Sequence, residues 1–258
     1  MAIKTIKASD WLTANGQAVT NASAASMKYY LEKNLRPLQD GVYIGKMQND
    51  GWGAQTGDAY AVIGSYKRIE PWQTTNIGIT SADADAIVVQ FGGYRLGIAL
   101  TEPSSAMKWG SVQDNSSVGY KTSSDLNTFD GNVRTKAIMA SSYYKNDAPA
   151  TYAVAYCYDY MTNRTDGGKT CQIGKRNWWL PTMGDLSLIH QHFETINLAL
   201  QRIKDAGKQK VDLLQRTGYW SCVEYSGPNA WNLNFGDGSR YANGKVGYSL
   251  RVRPVTAF

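Results

Sequence analysis

Apolar and polar positions alternate in short blocks along most of this chain, and one stretch carries a long helical period. It opens at Thr182-Met183-Gly184-Asp185, which resembles a capping box with Asp where Glu or Gln is usual. Leu186, Ile189, Phe193, Ile196, Leu200 and Ile203 follow at spacings of three and four, a continuous apolar stripe. This pattern predicts a single helix over residues 182–205, stopped by Gly207. Elsewhere the blocks are strand-sized. Residues 87–100 read as a hairpin: an apolar run, a Gly92-Gly93 turn and a second apolar run. Residues 41–45, 59–63, 86–91 and 177–180 read as strands, and 219–224, 230–235 and 249–255 as three more between Gly, Asn, Asp and Ser clusters. Further helices are predicted over 22–34, with Pro37 as stop, over 133–145 after Asp130-Gly131-Asn132, and over 149–161. Ala153, Cys157 and Met161 share one face of the last of these. Residues 101–130 are polar and irregular and read as an inserted surface loop.

A domain boundary is expected between about 70 and 88. It separates a small mixed α/β module, residues 1–86, from a larger α+β domain, residues 87–258. The segment 80–86 (TSADADA) lacks the turn glycine and closing glutamate of a calcium loop, so it reads as a plain turn.

Composition narrows the function. The chain has 258 residues, 43% hydrophobic, with 17 Tyr and 8 Trp, enough for a sizeable core with aromatics to spare. Tyr and Trp give contact area at low entropic cost and are common on binding surfaces. The net charge of +6 is spread without a basic run, which speaks against a nucleic-acid partner. No segment approaches about 18 consecutive apolar residues, so membrane insertion is not expected. The N-terminus lacks the apolar core of a signal peptide, so the expected site of synthesis is the cytoplasm, without general secretion. Three cysteines without a CxxC pattern speak against a disulfide framework or a zinc knuckle; the spacing permits a Cys157–Cys171 bridge without requiring one.

Catalytic chemistry finds no foothold. His190 and His192 are two apart on a predicted helix and point to different sides, so they make no chelating pair and read as surface polar residues. Residues 236–245 (GDGSRYANGK) fit neither a dinucleotide nor a phosphate-loop pattern. No Ser/His/Asp set can be assembled. We expect no enzyme activity, no metal and no cofactor.

Residues 219–255 mix two kinds of position. Tyr219, Trp220, Ser221, Glu224, Ala230, Trp231, Phe235, Gly236, Lys245 and the ending Arg251-Val252-Arg253-Pro254-Val255 read as framework. The residues between them have no hydrophobic period. With the earlier DGN-x-x-T-K-A-I (130–138), Cys-Tyr-Asp-Tyr (157–160) and Trp-Trp-Leu-Pro-Thr-x-Gly-Asp-Leu (178–186), this framework resembles a known family. It is similar to the C-type-lectin-fold domains of the formylglycine-generating-enzyme-like branch, in particular the variable proteins of diversity-generating retroelements, which include phage tropism determinants. The resemblance spans about residues 87–258. It is fairly specific for the fold and less so for the retroelement association, because non-varying relatives share the framework.

The resemblance implies a C-type-lectin fold whose region 219–250 is diversified and contacts a ligand. The implied ligand-binding positions are Cys222, Val223, Ser226, Gly227, Pro228, Asn229, Asn232, Asn234, Asp237, Ser239, Tyr241, Asn243, Val246, Tyr248 and Leu250. Cys222 fits equally a product of such variation and a small buried hydrophobe. The resemblance further implies a protein or glycan ligand on a cell surface, association with a virion as a receptor-binding component, room for homo-oligomers, and an attachment role for residues 1–86. A fixed, non-diversified surface protein of the same fold is the alternative. The enzymes of this branch need a reactive cysteine pair or bound copper near the C-terminus, where this chain has Cys222 alone. Within the framework, Trp220 and Trp231 are expected to pack on the 182–205 stripe, and Glu224 to pair with Arg251 or Arg253.

Overall fold

In a computed structural model, the described residues are 40–47, 64–68, 84–92, 94–111, 126–141, 151–166, 169–173, 176–207 and 210–257. The helix predicted over 22–34, the strand over 59–63 and the turn at 80–83 lie outside them.

The architecture is mixed α+β. Its strands are β1 (Gly41–Met47), β2 (Gly64–Arg68), β3 (Ala86–Phe91), β4 (Tyr94–Ile98), β5 (Thr162–Asp166), β6 (Lys169–Ile173), β7 (Gly218–Glu224), β8 (Asn229–Asn234), β9 (Arg240–Gly244) and β10 (Val255–Ala257). Its helices are α1 (Gly131–Ala140), α2 (Ala153–Asp159), α3 (Met183–Gln191) and α4 (Phe193–Asp205). A five-stranded sheet has the order β10-β4-β3-β1-β2, β7-β8-β9 form a three-stranded sheet, and β5-β6 a two-stranded one. The described pairings within these sheets are antiparallel.

The large sheet redraws the expected domain boundary. Val42 lies opposite Val89 and Ile44 opposite Ile87, so β1 pairs directly with β3. Residues assigned to separate modules thus share one sheet and one core, which includes Val42, Ile44, Ile87, Val89, Leu96 and Ile98. The division at 86/87 runs through it. The β3–β4 hairpin forms as its pattern predicts, with Gly92 in the left-handed region at φ +56°.

The long apolar stripe is continuous, but the helix bearing it is not. α3 ends and α4 begins at His192, whose φ of −106° and ψ of 16° leave the helical region. The two pieces serve different sheets: α3 packs on β7 and β8, α4 on β1 and β3. Tertiary packing therefore sets a bend that the period does not encode. The capping box at the start of α3 is as predicted. Asp185 N donates to Thr182 Oγ1 at 3.0 Å, and Thr182 N donates to Asp185 Oδ2 at 2.9 Å. Asp185 is fully buried, and its carboxylate also accepts from Tyr94 OH at 2.8 Å. Burial pushes the Asp185 carboxyl above the usual range, against those hydrogen bonds.

The first residue of helix α1 is a glycine because a side chain there would meet Trp179: a Cβ at Gly131 would sit 2.4 Å from the indole Cδ1. It ends at Ala140, short of the predicted 145, and α2 is shorter than predicted. The strand expected at 177–180 reduces to one bridge between Trp179 and Val255. The loop expected over 101–130 is not simply a surface feature in its described part, since Glu102, Trp109 and Leu126 are buried. Cys157 is a buried free thiol, so the Cys157–Cys171 bridge is absent.

Residues 249–255 do not form one strand. Leu250 bridges Met107, Arg251 bridges Tyr219 in parallel, and Val255 bridges Trp179 before β10 joins β4. The segment stitches the small sheet to the large one. Its charges are held inside: Arg253, fully buried, donates to the carbonyls of Ala99 at 3.0 Å and Asp212 at 2.8 Å and lies 3.3 Å from Glu102. Arg251 approaches the other oxygen of the same carboxylate at 3.3 Å. Burial raises the Glu102 pKa, while the two guanidinium groups act against that shift.

Candidate functional site

The candidate surface is built on the β7-β8-β9 meander. Register puts Trp220 opposite Asn232 and Asn232 opposite Tyr241. Neighbouring residues on a strand point to opposite faces. Trp220 and Trp231 therefore project from opposite faces and cannot both lie on the helical stripe as expected. Trp220 donates its indole N–H to the Met107 carbonyl at 2.8 Å, while Trp231 meets Tyr225 edge-to-face with ring centroids 5.1 Å apart.

Three of the sequence-implied ligand positions prove to be interior. Between Trp220 and Glu224, β7 has three residues where β8 has only Trp231, a bulge that draws residues 221–223 inward. Ser221 Oγ donates to the Trp231 carbonyl at 2.9 Å, and Cys222 N donates to the Pro181 carbonyl at 2.8 Å. Cys222 and Val223 are therefore core residues, and Cys222 fits its small-hydrophobe reading. Burial raises the thiol pKa of both Cys222 and Cys157 well above the usual range, which suppresses thiolate chemistry. The third is Asn232, 2% exposed.

The other twelve positions reach solvent to differing extents. Pro228, Asp237, Tyr241 and Tyr248 are exposed; Ser226, Gly227, Asn229, Asn234, Ser239, Asn243, Val246 and Leu250 are half-buried. They form separate groups. Tyr241 and Asn243 share the Asn232 face, and Leu250 and Asn232 both border Gly218 there. Tyr248 and Asn229 flank Gly244, and Asn229 donates to Ser226 Oγ at 3.2 Å. Asn234, Asp237 and Ser239 belong to the β8–β9 turn at the far end of a strand about 20 Å long. The turn satisfies its own polar groups: Asn234 Oδ1 accepts from Gly236 N at 2.8 Å, and Asp237 Oδ1 accepts from Ser239 N at 2.9 Å. It rests on His190, whose ring is 5.9 Å from that of Phe235. A Cβ on Gly238, at φ +76°, would lie 3.0 Å from His190 Cε1. His190 is thus a packing residue, not simply a surface one.

The loop carrying Val246 and Tyr248 is pinned by a buried ion pair. Lys245 Nζ lies 2.6 Å from Glu224 Oε1, both side chains at 1% exposure or less, and 4.8 Å from the centre of the Trp109 ring. Lys245 N donates to the Pro228 carbonyl at 2.9 Å, and the Lys245 carbonyl accepts from Trp109 N at 2.9 Å. Glu224 thus pairs with Lys245 in place of the expected Arg251 or Arg253, which serve Glu102. Lys245 reads in the sequence as framework without a role, and its partner becomes visible only once the loop folds back.

Tyr225, 46% exposed beside Trp231, belongs with Tyr241 (47%) and Tyr248 (55%) as an outward aromatic. Sequence reasoning passes over it, although a tyrosine between a buried strand end and a Ser-Gly-Pro turn is a usable signal. Hydrogen-bond partners for these three phenols are absent among the described residues. Among those residues no three His, Cys, Asp or Glu side chains are grouped to hold a metal ion, and no helix is long and apolar enough to cross a membrane. The site's chemistry is contact: aromatic area, amides and hydroxyls over a fixed polar layer.

No protein-family profile and no curated protein matches the chain. Among solved structures, it is similar to the crystal structure of a fimbrial protein from Bacteroides ovatus, at 12% identity and a TM-score of 0.43. The match covers 98% of this chain and 49% of the other, so the chain spans about half the length of that protein. A likeness of that size fixes neither a shared fold nor a function.

Proposed function

We propose that this protein binds a ligand through side chains of its C-terminal meander, on a C-type-lectin fold of the kind found in the variable proteins of diversity-generating retroelements. The supporting observation is the separation of roles within residues 219–250. Tyr219, Trp220, Trp231, Leu233 and Phe235 are buried, whereas Tyr225, Tyr241 and Tyr248 stand outside with free phenols. Substitution at such exposed positions costs little stability, so the surface can change while the framework holds. The partner is a protein or glycan on a cell surface, and the setting is a virion-borne receptor-binding role in which display in several copies raises avidity.

The buried positions favour a second reading, a fixed surface of the same fold. Cys222, Val223 and Asn232 each occupy a packed or hydrogen-bonded place, which restricts variation there. Genomic DNA separates the two readings. A near-copy of the codons for residues 219–250 that differs at adenines, beside a reverse transcriptase gene, is expected under the first and absent under the second.

Binding itself is tested with the intact protein against bacterial cells and arrayed glycans. The double variant Tyr241→Ala/Tyr248→Ala should lose binding with its melting temperature nearly unchanged. Trp231→Ala should instead destabilise the domain by about 3–5 kcal/mol. A tyrosine variant that binds like wild type, or unfolds like the tryptophan variant, overturns the assignment.

A further inference from the structure

One pair of amides beneath the exposed tyrosines has a fixed polarity. Asn232, buried on β8, donates from Nδ2 to Asn243 Oδ1 at 2.6 Å and to the Tyr241 carbonyl at 3.0 Å. Both acceptors lie on β9, and Tyr241 and Asn243 are two residues apart on the same face. An amide has one acceptor oxygen and one NH2 donor group. With its oxygen turned toward Asn232 and already accepting one hydrogen bond, Asn243 presents its Nδ2 as the unengaged group for an outside partner, and no described residue accepts from that group. Arg240, the exposed charge adjoining Tyr241, faces the opposite way, opposite Leu233.

We infer that Asn232 is a positioning residue and Asn243 a specificity-determining donor. Asn232 orients the Asn243 amide so that the surface beside Tyr241 favours a ligand oxygen over a ligand donor. This rests on the reading of the meander as a binding surface and deepens it. It withdraws Asn232 from the contact residues and gives it the work of setting the sign of its neighbour. The geometry asks for an oxygen acceptor next to a flat or apolar group that can lie against the Tyr241 ring. A peptide carbonyl, a sugar hydroxyl and a carboxylate share that chemistry.

The test follows the Asn243 side-chain amide by NMR in the intact protein. Three probes carry acceptor oxygens from different sources: N-methylacetamide for a peptide, methyl glucoside for a glycan and acetate for an anion. Methylguanidinium, a donor alone, is the control. In wild type at least one acceptor probe should shift the Asn243 NH2 signals, and methylguanidinium should not. In Asn232→Asp the buried group becomes an acceptor, so the Asn243 amide turns over. The acceptor response should then weaken by about tenfold, the scale of one lost hydrogen bond in a partly buried site, and methylguanidinium should begin to bind. Should that variant not fold, Asn243→Ala serves, and it must abolish the probe response at the Tyr241 ring. The inference is overturned by any of four results: no response to the three acceptor probes, equal response to methylguanidinium, no effect of Asn232→Asp on the polarity, or an unchanged Tyr241 response in Asn243→Ala. If cell binding still depends on Tyr241 and Tyr248 in that case, the binding function stands and only the donor assignment falls. If cell binding fails while the amide behaves as described, the reverse holds.

Discussion

The two larger sheets of this protein are assembled in opposite ways. The β7-β8-β9 meander draws on 27 consecutive residues, Gly218 to Gly244, each strand pairing with the next. The five-stranded sheet collects strands from Gly41 to Ala257, and its β10 edge arrives from the far end of the chain. Local pairing needs little loop closure, and distant pairing needs much. The meander can therefore carry varied side chains on its outside as long as its inner residues pack. The large sheet depends on buried polar contacts that fix where distant segments meet. The Glu102–Arg253–Arg251 cluster holds that junction, and the Glu224–Lys245 pair holds the meander's own loop.

Variants of these clusters test the contrast most strongly. Arg253→Ala removes the cation from a fully buried site and leaves Glu102 with the half-buried Arg251 and the Tyr219 hydroxyl, so we expect about 3–5 kcal/mol of destabilisation in chemical denaturation. Glu224→Ala should cost a similar amount, because Lys245 is left charged and enclosed. The double replacement Glu224→Leu/Lys245→Met should recover much of that loss, since a packed apolar pair can stand in for a buried ion pair. If it does not, the pair is needed for the loop's conformation beyond its charge balance.

A cap variant has an intermediate effect. Thr182→Ala deletes the capping box and the 2.6 Å hydrogen bond from Thr182 Oγ1 to the Thr128 carbonyl, an expected cost of about 1–2 kcal/mol. The smallest effect is a slope. His192 Nε2 is buried without a hydrogen-bond partner among the described residues, and burial lowers its pKa below the usual 6.5 despite the nearby Asp40 charge. The unfolded chain then binds more protons than the folded one between the lowered value and 6.5, so stability falls as pH drops through that window. Melting temperatures from pH 7.5 to 5 should show this loss in wild type and a shallower one in His192→Asn; identical slopes would remove His192 from the account.

What the sequence reveals follows the same division. The capping box, the β3–β4 hairpin and the first two meander strands are local patterns and are legible. β9 is not, because Arg240–Gly244 lies in a Gly-, Asn- and Ser-rich stretch that reads as turn, and the pattern places the third strand at 249–255 instead. Membership of β1 and β3 in one sheet is not, because nothing in Val42 or Val89 names the partner opposite. Glu224's choice of Lys245 depends on a loop folding back by 21 residues. The inward turn of Cys222 depends on a bulge, and a bulge leaves no mark in hydrophobic period. In the site, Tyr241 and Tyr248 are foreseeable as aromatics between turns, whereas Tyr225 is passed over. The demotion of Asn232 to the interior is not, since an asparagine among asparagines looks the same inside as out.

The stitching segment 250–257 also bears on biosynthesis. A ribosome must pass the whole surface-bearing stretch before it adds Arg251, Arg253 and β10. A chain interrupted by a stop codon or shifted in frame within that stretch lacks the groups that neutralise Glu102 and complete the large sheet. Such a product should be cleared by proteolysis and not persist as a shortened chain, so completion of the large sheet checks that the reading frame is intact through residues 219–250.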